Sequence, residues 1–115
     1  MRQIQIIIPD RGFIYVNNIL KEAKVGGLSY YKIEGRGGGT RAKEAAVGRG
    51  TMRYTPEFIP RTKVEVVVKD EQVEAIITKI GDESSAANIN GKIFVIDVPI
   101  AVDIATKNRG ETVIW

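Results

Sequence analysis

The chain of 115 residues has no cysteine and no histidine. The first absence removes disulfides, thiolate metal sites and cysteine nucleophiles together. The second removes the commonest general base and the commonest transition-metal ligand. No nucleophile–base pair and no metal-ligating cluster is visible in what is left, so the sequence predicts a protein that is not an enzyme. Long apolar runs are missing as well: nothing reaches the length of a bilayer-spanning helix, and no direct membrane insertion is expected. The opening MRQIQIIIPD is too short and too polar for a signal peptide, so a cytoplasmic protein is expected.

What is present is ordinary for a globular domain, with 43% apolar and 27% charged residues. Residues 1–115 read as one domain. Alone, a chain this short buries only part of its surface, which favours an oligomer. Net charge is only +3, and it is not evenly spread. Gly35–Pro60, GRGGGTRAKEAAVGRGTMRYTPEFIP, holds six of the twelve glycines and two of the four prolines. Its first part carries Arg36, Arg41, Lys43, Arg49 and Arg53 against the single acid Glu44. Loops this long inside a small domain are uncommon unless functional or disordered. The rest of the chain reads as a frame for a loop over about residues 36–57.

The frame alternates. Arg2–Pro9 reads as a strand with Ile4, Ile6 and Ile8 on one face and Gln3, Gln5 and Ile7 on the other. Phe13, Val16, Ile19, Leu20 and Ala23 form the apolar stripe of a helix over Arg11–Lys24, stopped by Gly26-Gly27 as a glycine C-cap. Leu28–Glu34 is a second strand. Phe58–Lys69 is the longest, with Thr62, Val64, Val66 and Val68 sharing a face. Asp70 is expected to N-cap a second helix striped by Val73, Ile76, Ile77 and Ile80. Asn88–Gly91 is a turn, Lys92–Val98 a fourth strand, and the tail Ile100–Trp115 could supply a short fifth. The order β-α-β, loop, β-α-β predicts an α+β, ferredoxin-like sandwich: a four-stranded antiparallel sheet with both helices on one face.

Four segments resemble the PII signal-transduction family of nitrogen-regulatory proteins. They are the first strand and helix ending in Gly26-Gly27, the Gly35-Arg36-Gly37 at the close of the second strand, the run Tyr54-x-x-x-Phe58-x-Pro60-Arg61-x-Lys63-x-Glu65, and Gly91-Lys92-Ile93-Phe94. The resemblance runs from Met1 to about Glu111. It implies a homotrimer that binds ATP or ADP in clefts between subunits, senses 2-oxoglutarate with Mg-ATP, and docks its long loop on a target. That target would be an ammonium channel or a nitrogen-metabolism enzyme. Three departures qualify this. Gly38, Gly39 and Thr40 replace the family's Arg-Gln-Lys, whose Gln helps hold magnesium and 2-oxoglutarate, which counts against both ligands here. The turn before Gly91 lacks the family's glycines. Asp103 and Ala105 replace the family's Arg-x-Arg, with Lys107 and Arg109 a little later. Weaker triphosphate binding is expected, with ADP or AMP preferred.

Within that resemblance the adenine end would be held by Ile7, Gly27, Leu28, Ser29 and Val67. Phosphates would lie near Gly35, Arg36, Gly37, Asn90, Gly91 and Lys92. Glycine backbones let phosphates approach exposed N–H groups, and nearby cations supply charge. Lys92 is the leading phosphate ligand, helped by Arg36, Lys107 and Arg109; the plain alternative is that the glycines only permit turns and Lys92 is a solvated strand start. Glu65 either meets the nucleotide or pairs with Lys63 or Arg36, and the pair is favoured. Arg41, Lys43, Arg49 and Arg53 are either a solvated charge run or a partner-binding arm. Tyr54 is either packed beside Pro56 or a partner contact. The competing function is an RNA-binding module on the same fold. It needs aromatics on the two central strands, and QIQIII and RTKVEVVVK have none, so no nucleic-acid partner is expected.

Overall fold

In the computed structural model, the alternation of Ile4, Ile6 and Ile8 with Gln3, Gln5 and Ile7 becomes strand β1, Arg2–Ile8. The structure describes residues 1–37, 45–47, 52–54 and 57–114, and of 45–47 and 52–54 the backbone only. A 3₁₀ turn over Asp10–Gly12 leads into helix α1, Phe13–Glu22, which buries Val16, Ile19 and Leu20. Its end is not set by Gly26-Gly27. Lys24 takes the left-handed conformation at φ 55°. The N–H of Val25 then bonds the carbonyl of Leu20, and that of Lys24 the carbonyl of Lys21. This is a Schellman motif with lysine where glycine is usual.

Strand β2, Leu28–Gly35, follows. The loop segment read from sequence as lacking regular structure contains a short ribbon: β3, Ala45–Val47, pairs antiparallel with β4, Met52–Tyr54. Strand β5 is Ile59–Val68, with Thr62, Val64, Val66 and Val68 all buried. After a 3₁₀ turn at Asp70–Gln72 comes helix α2, Val73–Ala86. Asp70 is not its N-cap. It is the first residue of that turn, and its carboxylate meets the Met1 amine at 3.0 Å. The helix approach is tied instead by Gln72, whose Oε1 accepts the Lys69 N–H at 3.0 Å. Helix α2 ends in a second Schellman motif, with Asn88 at φ 55° and Ile89 N–H bonding Ser84 O. The Arg11 guanidinium donates to Asn88 O at 2.7 Å, placing a cation at this carbonyl end.

Strand β6, Lys92–Asp97, completes an antiparallel sheet in the order β2-β5-β1-β6. Ile4, Ile6 and Ile8 pack with Val64, Val66 and Val68 against Val16, Ile19, Leu20, Val73, Ile76 and Ile80 in one core. Both helices therefore cover the same face, as the α+β, ferredoxin-like reading requires. Among the described residues, the chain after β6 adds no fifth strand to this sheet. It forms a narrow hairpin, with Asp103 N–H bonding Asn108 O and Gly110 N–H bonding Ala101 O, and then a 3₁₀ turn at Glu111–Val113.

Two predictions arise here. Gly81 lies inside α2, and a Cβ added there meets nothing within 4 Å. Gly81→Ala should therefore stabilise the fold by about 0.5–1 kcal/mol, read as a raised urea midpoint. The second concerns acid. The buried Thr62 hydroxyl donates to Asp10 at 2.7 Å and Lys32 lies 3.4 Å from the same carboxylate, which holds Asp10 below its ordinary 3.8. The N-terminal amine lowers Asp70 in the same way. Both folded values are depressed, so this stabilisation is complete above about pH 4 and is lost as pH falls through the lowered values. Urea midpoints measured down that range should fall less steeply for Asp10→Asn than for the parent chain.

Candidate functional site

The sheet order decides which candidate residues meet. β2 and β6 are opposite edges, so Gly35-Arg36-Gly37 and Gly91-Lys92 do not lie on neighbouring strands. They share one end of the sheet but are separated by β5 and β1, about 14 Å across the strands at ordinary spacing, and Lys92 is level with Lys63 whereas Gly35 is level with Ile59. Gly26 and Gly27 are at the other end, before the start of β2. The candidates thus form two groups within one chain.

The first group lies where β2 ends and β6 begins. Gly35 pairs with Ile59 as the last rung between β2 and β5. Just beyond it the Arg36 guanidinium pairs with the Glu57 carboxylate and sits 5.8 Å from the Phe58 ring. Arg36 is therefore engaged across the base of the loop. On the far edge, Ile7 pairs with Lys92 on the uncovered face. Gly91 packs so tightly on β1 that an added Cβ would lie 2.4 Å from the Ile7 carbonyl oxygen. Asn90 and Lys92 are exposed, and neither side chain bonds another described residue. Lys92, the first residue of β6, thus has no side-chain partner among the described residues, and the turn before it is held by Gly91 and Arg11.

The second group surrounds the start of β2. Gly27, Leu28, Ser29, Glu65 and Val67 line an open cavity of about 370 Å³. Four residues that the sequence reading did not place in the site share it: Gln3, Val66, Val113 and Ile114. Period-two alternation placed Gln3 on the uncovered face, but no local pattern announces that the tail returns to β2. Glu65 accepts a hydrogen bond from the Tyr31 hydroxyl at 2.9 Å and lies 3.6 Å from Lys63. The Tyr31 hydroxyl, and then Glu65, hold the Lys63 ammonium above its ordinary value. The favoured Glu65–Lys63 pair is present; Arg36 has Glu57 instead. Lys107, at φ 63°, and Arg109, bridged to Val102, lie on the hairpin after β6. Asp103 fixes that hairpin by accepting from the N–H groups of Thr106 and Ala105. These bonds, Thr106 first, lower its carboxyl.

Arg41, Lys43 and Arg49 lie outside the described residues, and of Arg53 and Tyr54 only the backbone, in β4, is described. The uncovered sheet face carries Tyr31 on one edge strand and Phe94 and Ile96 on the other, all more than two-fifths exposed. Its central strands, β5 and β1, present no aromatic residue there.

The nitrogen regulatory protein P-II family model matches residues 1–108. The chain belongs to the PII family. It is 35% identical over 112 residues to the nitrogen regulatory protein P-II of Cereibacter sphaeroides, covering 96% of this chain and 97% of that protein. It is 32% identical to the P-II 2 protein of Methanothermobacter thermautotrophicus, over 96% of this chain and 95% of the relative. The P-II protein of Pasteurella multocida is also 32% identical, over 99% of this chain and its own full length. Membership accords with the frame of a four-stranded antiparallel sheet and two helices. Within the described part of this PII chain, no helix is long and apolar enough to cross a membrane.

Proposed function

We propose that this PII-family chain is a cytoplasmic, trimeric signalling protein that binds an adenine nucleotide between subunits. It regulates a partner protein in nitrogen metabolism, such as an ammonium channel, through the loop at about residues 36–57, and is not an enzyme. The observation that carries this reading is the division of the candidate residues between two ends of the sheet. Lys92, Gly91 and Asn90 cannot reach Ser29, Leu28 and Gly27 of their own chain, so a nucleotide could use both groups only across two copies. The half-apolar uncovered face, with Ile7, Val67, Phe94 and Ile96, supplies the surface on which copies would meet. Lys107 and Arg109 would add charge at the phosphates. With Gly38, Gly39 and Thr40 in the loop, ADP or AMP is favoured over ATP, and magnesium with 2-oxoglutarate adds little.

Mixed oligomers test the division. Lys92→Ala and Ser29→Trp each spoil a different half of the site and leave buried positions untouched. Calorimetric titration with ADP should show each variant alone binding weakly. Refolding an equal mixture should restore roughly a quarter of the sites, those joining two intact halves. Mixed oligomers that form yet restore nothing would place both halves elsewhere. On the parent chain, ATP binding far tighter than AMP binding and sharpened by Mg-2-oxoglutarate would overturn the nucleotide preference.

A further inference from the structure

The last described stretch of the chain is a strap hinged on one residue. Gly110 takes φ 94° and ψ −160°, a conformation that is essentially confined to glycine. An added Cβ there meets nothing within 4 Å, so the backbone conformation, not space, calls for glycine. Beyond the hinge the 3₁₀ turn Glu111–Val113 is held by its own bonds, from Val113 N–H to Gly110 O and from Ile114 N–H to Glu111 O. Among the described residues, nothing in 111–114 bonds a strand or either α-helix. The half-buried Val113 and Ile114 seat the strap on the body. Both line the 370 Å³ cavity at the start of β2. Ile114 also lines a second cavity of about 260 Å³, between the turn after α1 (Lys24, Val25 and Gly26) and Lys69 with Gln72. Two residues are common to both cavities, Val67 and Ile114. Val67 is fixed in β5 opposite Gln3, whereas Ile114 is not tied to the sheet. One cavity lies near the lower end of the size range of small-molecule sites and the other below it. They become one groove when Ile114 leaves.

We propose that residues 111–114 are an autoinhibitory strap over the adenine end of the candidate site, displaced when a nucleotide enters; this rests on the nucleotide reading. A purine needs apolar surface to lie on, and the apolar surface at this end is Leu28 and Val67, beside which Val113 and Ile114 are seated. Base and strap therefore contend for one place. Release of the strap breaks no hydrogen bond to the body, which puts it among the least stable parts of the fold. The apparent affinity then scales with the fraction of chains whose strap is open. The strap follows residue 108, the last that the family model matches, so the device lies in a tail outside the matched region.

The test uses the full-length chain. Gly110→Val changes no cavity-lining residue yet disfavours the seated conformation of the hinge, and Val113→Ser combined with Ile114→Ser removes the apolar seat itself. In calorimetric titration with ADP, each variant should bind at least about fivefold more tightly than the parent. In amide NMR spectra of the parent, saturating ADP should move Val113 and Ile114 to the shifts of an unstructured chain. Gly110→Val should show those shifts with no ADP present, and the same spectra report that each variant is folded. Equal or weaker ADP binding by either variant would overturn the strap, as would tail amides that stay seated in the ADP-saturated parent. Both of those results leave the nucleotide reading standing, because ADP still binds the parent. No ADP binding by the parent or by either variant would overturn the two together.

Discussion

Replacing Gly91 with alanine is expected to destabilise the fold by about 2–3 kcal/mol, although only one methyl group is added. The added carbon would lie 2.4 Å from the Ile7 carbonyl oxygen and 2.8 Å from Cγ2 of Ile8. Neither atom can move aside cheaply. Ile7 O belongs to the backbone of β1, which pairs with β5 on one side and β6 on the other. Ile8 is buried in the core. The loop leading into β6 must therefore lift away, carrying Lys92 with it. A lowered urea midpoint with an unchanged slope, at fixed chain concentration, is the expected result. Gly81→Ala is the matched control, because the same substitution in open space should raise the midpoint. A Gly91→Ala midpoint equal to that of the parent would show that the loop seats differently on β1. The functional counterpart is weakened ADP binding by the folded fraction, since Lys92 would no longer stand where Gly91 places it.

The larger effect should come from Ile6→Ala, expected to cost about 2–5 kcal/mol. Ile6 is wholly buried, opposite Val64 on β5 and Ile93 on β6. The cost of such a truncation depends on how far the surroundings collapse into the vacated space. Here they are constrained on both flanks by ladder hydrogen bonds, and above by Ile80 and the rest of the helix layer. Collapse is therefore limited and the upper half of the range is expected. Thermal or urea unfolding at fixed concentration reads it directly. A loss below about 1 kcal/mol would mean that the helices settle onto the sheet far more freely than close packing allows.

The loop base gives a contrast in scale. Arg36 and Glu57 are both more than three-fifths exposed, and exposed ion pairs contribute little to stability. Glu57→Gln should leave the urea midpoint nearly unchanged while freeing the Arg36 guanidinium. If phosphates use Arg36, ADP affinity should rise.

The frame was legible because its signals are local. Period-two alternation in β1 and β5 names the buried residues Ile4, Ile6, Ile8, Val64, Val66 and Val68, and the spacing of Val16, Ile19 and Leu20 names the helix face. The helix ends were less legible. A Schellman turn needs one left-handed residue, and glycine is merely the easiest; Lys24 and Asn88 accept it because their following residues, Val25 and Ile89, pack on the core. Asp70 had the chemistry of an N-cap, but the amine of Met1, brought alongside by β1, took its carboxylate first.

By itself the sequence determined the order of elements, the faces of the strands and helices, the glycine-rich segment and the family, all of which depend on residues near one another along the chain. Only the tertiary structure decided that Arg36 is held by Glu57, that Val113 and Ile114 line the cavity at the start of β2, and that the two glycine-bearing halves of the candidate site lie at opposite ends of one sheet. Those relations depend on strand order, which inserts β5 and β1 between the two edges. Strand order is set by how the whole set of apolar faces closes over one core, and no local stretch of residues carries it.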